Sequence, residues 1–284
     1  MLLGRRFKSE EAATLYHYCS PDTFHAICTN KSLRFSDVYS MNDFMEMHWG
    51  YKQWENCAND LAPELGNEFL NSVDEILSHS SLRFTPLASC FSIAGDSLSQ
   101  WRAYAQNGKG FAFGFDSSSL CEFAATPLKI LYSDAEQIEE LKQFIRVLHK
   151  IHSEDEDINE LVNICATLSA DLCAFKNPSF SEEKEVRLLR LVNFKPSNEF
   201  FSLADPGGNH FGHTHNPSHV QFNMKGSIPA PFVDLSFLNA ENEHCIREVV
   251  LGPKNEARAS AISVYLETMG LGGIQVKRSS ASYR

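Results

Sequence analysis

Phe180-Ser181-Glu182-Glu183-Lys184-Glu185-Val186-Arg187-Leu188-Leu189 is the stretch on which the reading of this chain turns. Residues two apart in a strand face the same side, so Glu183 and Glu185 would project together from a strand running to Leu191. Two carboxylates on one face make a candidate reaction centre, and the same pattern also fits an exposed edge strand whose charges are solvated. Arg187 shares that face and suits a structural ion-pair partner for Glu185.

Downstream, Pro206-Gly207-Gly208 marks a loop, short strands are predicted over 221–224, 230–235, 246–251 and 273–276, and a helix over 256–269. Upstream, 135–175 reads as mainly helical, an insertion or lid layer interrupted by a solvated turn at Glu154-Asp155-Glu156-Asp157. Strands are predicted at 88–93, 110–115 and 129–132, with a helix over 97–105 carrying Leu98, Trp101, Arg102 and Tyr104. Helices over 44–57 and 65–78 precede them, after a loop at 37–43. The chain opens as strand (15–18), helix (21–30, capped by Ser20) and strand (33–36). With no repeat, low-complexity tract or linker, residues 1–284 are expected to form a single α+β domain.

The 284 residues are 43% hydrophobic, enough for a substantial core. A formal charge of −11 argues against broad, nonspecific binding to a phosphate backbone. Eight cysteines include no CxxC pair, so they read mostly as small buried hydrophobes. No run is long and apolar enough to span a bilayer, and a cytoplasmic protein with no membrane partner is expected.

Other constellations compete with the carboxylate pair. His210, His213, His215 and His219 are the strongest metal signal, but their spacing matches no helix-borne zinc motif, and solvent-exposed loop histidines are the simpler reading. Asn107-Gly108-Lys109-Gly110 lacks the spacing of a phosphate loop and reads as a tight turn. No GxSxG elbow is present.

Several segments, in order, resemble the bacterial family known as domain of unknown function 2971. They are Leu15-Tyr16-His17-Tyr18, Leu33-Arg34-Phe35-Ser36, Asn42-Asp43, Cys90-Phe91-Ser92, Ser99-Gln100-Trp101 with Tyr104, the 108–116 run, the 183–187 run, and Glu248-Val249-Val250-Leu251-Gly252-Pro253. The opening Tyr16-His17-Tyr18, helix and Leu33 also resemble ADP-ribosyltransferases of the DarT-like toxin and RNA 2′-phosphotransferase kind.

That second resemblance implies a split β-sheet core with a helical insertion, and an enzyme that transfers ADP-ribose from NAD to a macromolecule. His17 would hold the nicotinamide-side ribose and Glu185 would polarise it. Tyr104, Trp101 or Phe91 would pack the nicotinamide, and Glu183 would orient or deprotonate the acceptor. Tyr18 and Arg34 complete the NAD-binding set, Arg34 gripping the pyrophosphate bidentately. A toxin or phage-defence role, an RNA or DNA acceptor ahead of protein, and an antitoxin or chaperone partner follow from the same likeness. The alternative is a non-catalytic module that binds a nucleotide or a partner protein.

Overall fold

The computed structural model describes residues 4–41, 46–80, 83–155 and 157–281. The chain opens with β1 (Thr14–Cys19), α1 (Pro21–Asn30) and β2 (Ser32–Asp37), as the sequence predicts. Ser20 Oγ accepts the Thr23 amide at 3.1 Å, and Pro21 occupies the first helical position, where a missing N–H leaves nothing unsatisfied. Lys31 ends the helix in a left-handed conformation, φ 52°, and Phe24, Ile27 and Cys28 form its buried face.

Next come α2 (Glu46–Leu65), α3 (Asn67–Ser78), β3 (Phe84–Ser92), α4 (Leu98–Ala103), β4 (Phe111–Asp116), α5 (Ser117–Cys121) and β5 (Thr126–Lys129). The helical stretch is α6 (Asp134–Asp155) and α7 (Ile158–Asp171). The acidic run there is not simply a solvated turn: it ends α6, and the Asp157 carboxylate caps α7 by accepting the Asn159 and Glu160 amides. Glu156, and with it Asn42, Asp43 and Phe44 of the predicted segments, lie outside the described residues.

The remainder is β6 (Glu185–Pro196), β7 (Phe201–Ala204), β8 (Gly208–His210), β9 (His213–His215), β10 (Gln221–Lys225), β11 (Ile228–Ser236), β12 (Ile246–Leu251), α8 (Ala259–Thr268) and β13 (Gln275–Arg278). The predicted strand at 129–132 is displaced to 126–129, and β7 to β9 went unread, being three- and four-residue strands whose pairing depends on their neighbours.

The predicted strand at 183–191 also starts late. Glu183 ends a 3-10 helix (Pro178–Glu183), Lys184 turns left-handed at φ 46°, and Glu185 is the first strand residue. β6 is no solvated edge there, because β3 pairs with it from Ser92↔Glu185 to Phe84↔Asn193 and β5 covers its other side over Val186 to Leu189. Glu185 is 7% exposed and Arg187 1%. By register, Glu185, Arg187 and Leu189 share a face with Ser92, Cys90 and Ala88 of β3.

The opposite edge of β3 decides the architecture. β2 pairs there at Leu87 and Ala88 and β1 at Ser92, leaving residues 89–91 without a strand partner among the described residues on that side. The sheet therefore divides into one branch running β1-β4-β12-β13 and another running β2-β11-β10. Among the described residues the strand-to-strand pairings are antiparallel except β12 with β13.

One core unites both branches with α1 and α8 through Leu15, Phe24, Phe35, Phe113, Phe115, Val233 and Leu266. Phe24 stacks on Phe111 at 4.0 Å and Phe113 at 5.0 Å, so the predicted phenylalanine alternation of β4 does face the core. The helical layer is larger than the expected insertion: α2 and α3 pack with α6 and α7 around Trp54, Val73, Leu141 and Leu168. A smaller cluster with Ala88, Leu128, Cys173, Ala174 and Leu189 seats that layer on the β3/β6 face. The chain is thus a mixed α+β fold with one large mixed sheet.

Candidate functional site

Where the sheet divides there is a cleft of about 610 Å³. Tyr16, His17 and Tyr18 of β1, Arg34 and Ser36 of β2, and 88–91 of β3 line it. Tyr104, Lys176, Phe180, Glu183, Glu185 and Arg187 close it from the helical side.

Among the described residues, its centre is a buried cluster of Lys176, Glu183, Glu185 and Arg187. Lys176 Nζ lies 2.5 Å from Glu183 Oε2 and 2.9 Å from Glu185 Oε2. Arg187 grips Glu185 with two prongs, Nε to Oε1 at 2.6 Å and Nη2 to Oε2 at 3.0 Å, while its Nη1 donates to the Cys173 carbonyl at 3.0 Å. Arg187 is therefore the structural partner that the spacing suggested, and charge balance lets both carboxylates lie buried. Burial alone would raise the Glu185 carboxyl; the Arg187 and Lys176 charges, with hydrogen bonds from Arg187 and Cys90, outweigh it and bring it down to about 2.

The two carboxylates differ in remaining capacity. Each carboxylate offers about four acceptor positions, and Arg187, Lys176 and Cys90 occupy those of Glu185. Glu183 accepts from Lys176 and, at Oε1, from Tyr104 Oη at 2.7 Å, which leaves acceptor positions for a ligand. Its backbone is held as well, since Ser92 Oγ donates to its carbonyl at 2.6 Å. Burial first, then the Glu183 hydrogen bond, raises the Tyr104 phenol well above its ordinary range, so it stays a donor.

His17 meets the charged cluster from across the divide. Its Nδ1 lies 2.9 Å from the Cys90 carbonyl, on the stretch of β3 that has no strand partner on that side. A carbonyl only accepts, so Nδ1 carries the proton and Nε2 is the acceptor nitrogen. Burial lowers the pKa of the ring and keeps it neutral, against the Cys90 hydrogen bond.

The other expectations meet different fates. Tyr18 lines the cleft with its ring while its hydroxyl donates to the Ala94 carbonyl at 2.7 Å and accepts the Ser97 amide at 3.0 Å. Arg34 reaches the cleft, but its two-pronged grip is spent on Asp234, both contacts at 3.0 Å, with the guanidinium 3.6 Å over the Phe232 ring. That pair uses two of the five guanidinium N–H donors, so an anion in the cleft would meet the remaining Nη1/Nη2 edge. Trp101 does not line the cleft: fully buried, it packs edge-on against Tyr18 at 4.7 Å and donates to Asp96 at 2.7 Å, so it cannot stack on a ligand. Phe91 lines the cleft beside the His17 ring, 5.6 Å away, and Tyr104 is the more exposed aromatic.

Lys176 is the residue that the sequence reading missed. Its signal is a lone cation closing the apolar run Leu172-Cys173-Ala174-Phe175, an unusual place for a charge without a buried partner.

Two of the four histidines and the 107–110 turn have structural partners. His210 bridges the Ala124 amide at 3.1 Å and the Ser236 carbonyl at 2.8 Å, and His215 pairs with Ser218 at 3.0 Å. Among the described residues no group of three or more His, Cys, Asp or Glu is placed to hold a metal. The 107–110 turn packs on the 252–254 segment through the amides of Gly252 and Lys254, and a Cβ on Gly110 would fall 2.1 Å from the Cys19 carbonyl oxygen. No helix among the described residues is long and apolar enough to cross a membrane.

Residues 100–188 match the family model described as Protein of unknown function (DUF2971). The match covers less than a third of the chain. That region holds Tyr104, Lys176, Glu183, Glu185 and Arg187, one whole side of the cleft, whereas His17 and Arg34 lie upstream of it. No curated protein and no solved structure matches the chain.

Proposed function

We propose that the cleft binds NAD and transfers its ADP-ribose to a macromolecule, nucleic acid ahead of protein, as a toxin or phage-defence effector built on an ADP-ribosyltransferase-like split sheet. The observation that carries this reading is the convergence of His17, Tyr104, Glu183 and Glu185 on one cleft at the division of the sheet.

The chemistry follows from the groups present. The bond from ribose C1′ to the nicotinamide nitrogen breaks, nicotinamide leaves with the bonding pair, and positive charge develops on the ribose. A fixed carboxylate lowers the energy of that charge without reorganising. Glu183 is the better candidate, because its spare acceptor positions can meet a ribose hydroxyl while Tyr104 and Lys176 hold it still. Glu185 supports the cluster from below. His17 Nε2 accepts from a ribose hydroxyl, and the Tyr104 ring offers a flat face to the nicotinamide. The acceptor's nucleophile then bonds to C1′ and releases its proton, water serving in its absence.

The saturation of Glu185 is the observation that favours the second reading, a nucleotide-binding module without turnover. Incubating purified protein with labelled NAD and lysate, with and without nuclease, separates the two. The expected result is nuclease-sensitive label transfer that falls about 100- to 1,000-fold in Glu183→Gln. Absence of both transfer and nicotinamide release from the wild type would overturn the transferase reading.

A further inference from the structure

We propose that Lys176 is a positioning residue for the carboxylate pair, turning Glu183 toward the cleft and offsetting the second negative charge there. The inference uses the transferase reading only for its activity readout.

Its support is geometric. Lys176 is 3% exposed, and one ammonium bridges two carboxylates that come from different elements, the 3-10 helix and β6. Its own place is set by the helical layer. The Lys176 amide donates to the Leu131 carbonyl at 3.1 Å, and its carbonyl accepts from Gln137 Nε2 at 3.0 Å. Gln137, fully buried on α6, in turn accepts from Trp49 Nε1 of α2 at 3.0 Å. The helices thus deliver a cation to the site, where its charge acts on Tyr104 after α4, Tyr132 after β5 and Glu185 of β6, while Cys90 of β3 and Arg187 of β6 bond to the same Glu185 carboxylate.

Removing the cation leaves Glu185 with Arg187 and takes away the ammonium that Glu183 and Glu185 share. Like charges that close share a proton more readily, so the pair takes one up at higher pH. Arginine at the same position keeps the charge. A double variant, Lys176→Met with Glu185→Gln, removes one charge of each sign and keeps the balance.

The test is the pH profile of nicotinamide release from NAD for the wild type, Lys176→Met, Lys176→Arg and the double variant. In Lys176→Met the acid limb should move up by about one pH unit or more, with kcat down about tenfold or more at neutral pH and KM little changed. Lys176→Arg and the double variant should keep the limb near its wild-type position. An unshifted limb in Lys176→Met, or a loss confined to KM, overturns the proposal; if that variant does not fold, a shifted limb in the double variant overturns it. Wild-type protein that releases no nicotinamide sinks the transferase reading instead. Carboxyl ¹³C titration then decides on Lys176 alone: an upward move of the pair in Lys176→Met supports it and no move overturns it.

Discussion

β6 buries an arginine on each of its faces, and the two are used differently. On the core face, Arg190 meets both oxygens of Asp205 at 2.7 Å and donates to the carbonyls of Ala124 and Gly207, while Asp205 also accepts the Ser218 amide at 2.6 Å. One charge faces one charge, and the pair pins the 205–218 segment to the strand. On the cleft face, Arg187 belongs to a set of two cations and two carboxylates in which Glu183 keeps acceptor positions unspent beside open volume. Both clusters are buried and charge-balanced, so burial and balance do not distinguish scaffold from site. What distinguishes them is unspent hydrogen-bonding capacity facing a cavity.

The comparison breaks most visibly at Arg190. Arg190→Ala strands a carboxylate that is wholly buried, and should cost about 3–5 kcal/mol in urea unfolding. A loss below about 1 kcal/mol would mean that the pair is not the closed clamp described.

Acid separates the faces more finely. Glu185 has a folded-state pKa depressed from 4.5 to about 2, so its stabilisation is whole above the ordinary value and is lost as pH falls through that window. Unfolding measured across this range should show stability falling with acid, and Glu185→Gln should flatten that part of the curve. An unchanged slope in the variant would show that Arg187 and Lys176 do not act on Glu185 as argued.

The smallest effect sharpens the boundary of the cleft. Trp101→Phe keeps the packing against Tyr18 and loses the bond to Asp96, about 1 kcal/mol of stability, and under the proposed function leaves NAD affinity by calorimetry unchanged. Weakened NAD binding would return Trp101 to the site.

Local patterns made much of the fold legible. Ser20 and Pro21 announce α1, the alternating Phe111, Phe113 and Phe115 announce a core-facing strand, and α6 and α7 follow from apolar spacing. Arg187 as the partner of Glu185 was readable because two residues on one strand are neighbours whatever surrounds them. Glu183 was placed on the right carboxylate pair for the wrong local reason: the left-handed Lys184 takes it off the strand, and Lys176 brings the two carboxylates back together. Trp101 was misjudged, and the Asp234 partner of Arg34 went unread, because a side chain's partner lies wherever another strand or loop delivers it.

By itself, then, the sequence determined most of the helices and the longer strands, that a core of ordinary size exists, and that carboxylates, a histidine and aromatics are available for chemistry. These depend on spacing and on each residue's own chemistry. Only the tertiary structure decided that β3 carries β2 and β1 in succession and so opens a cleft. It alone buried the carboxylates rather than solvating them, and brought a lysine held by the helical layer between them. Those outcomes depend on contacts between segments far apart in the chain, and no local pattern encodes the angle at which two strands diverge.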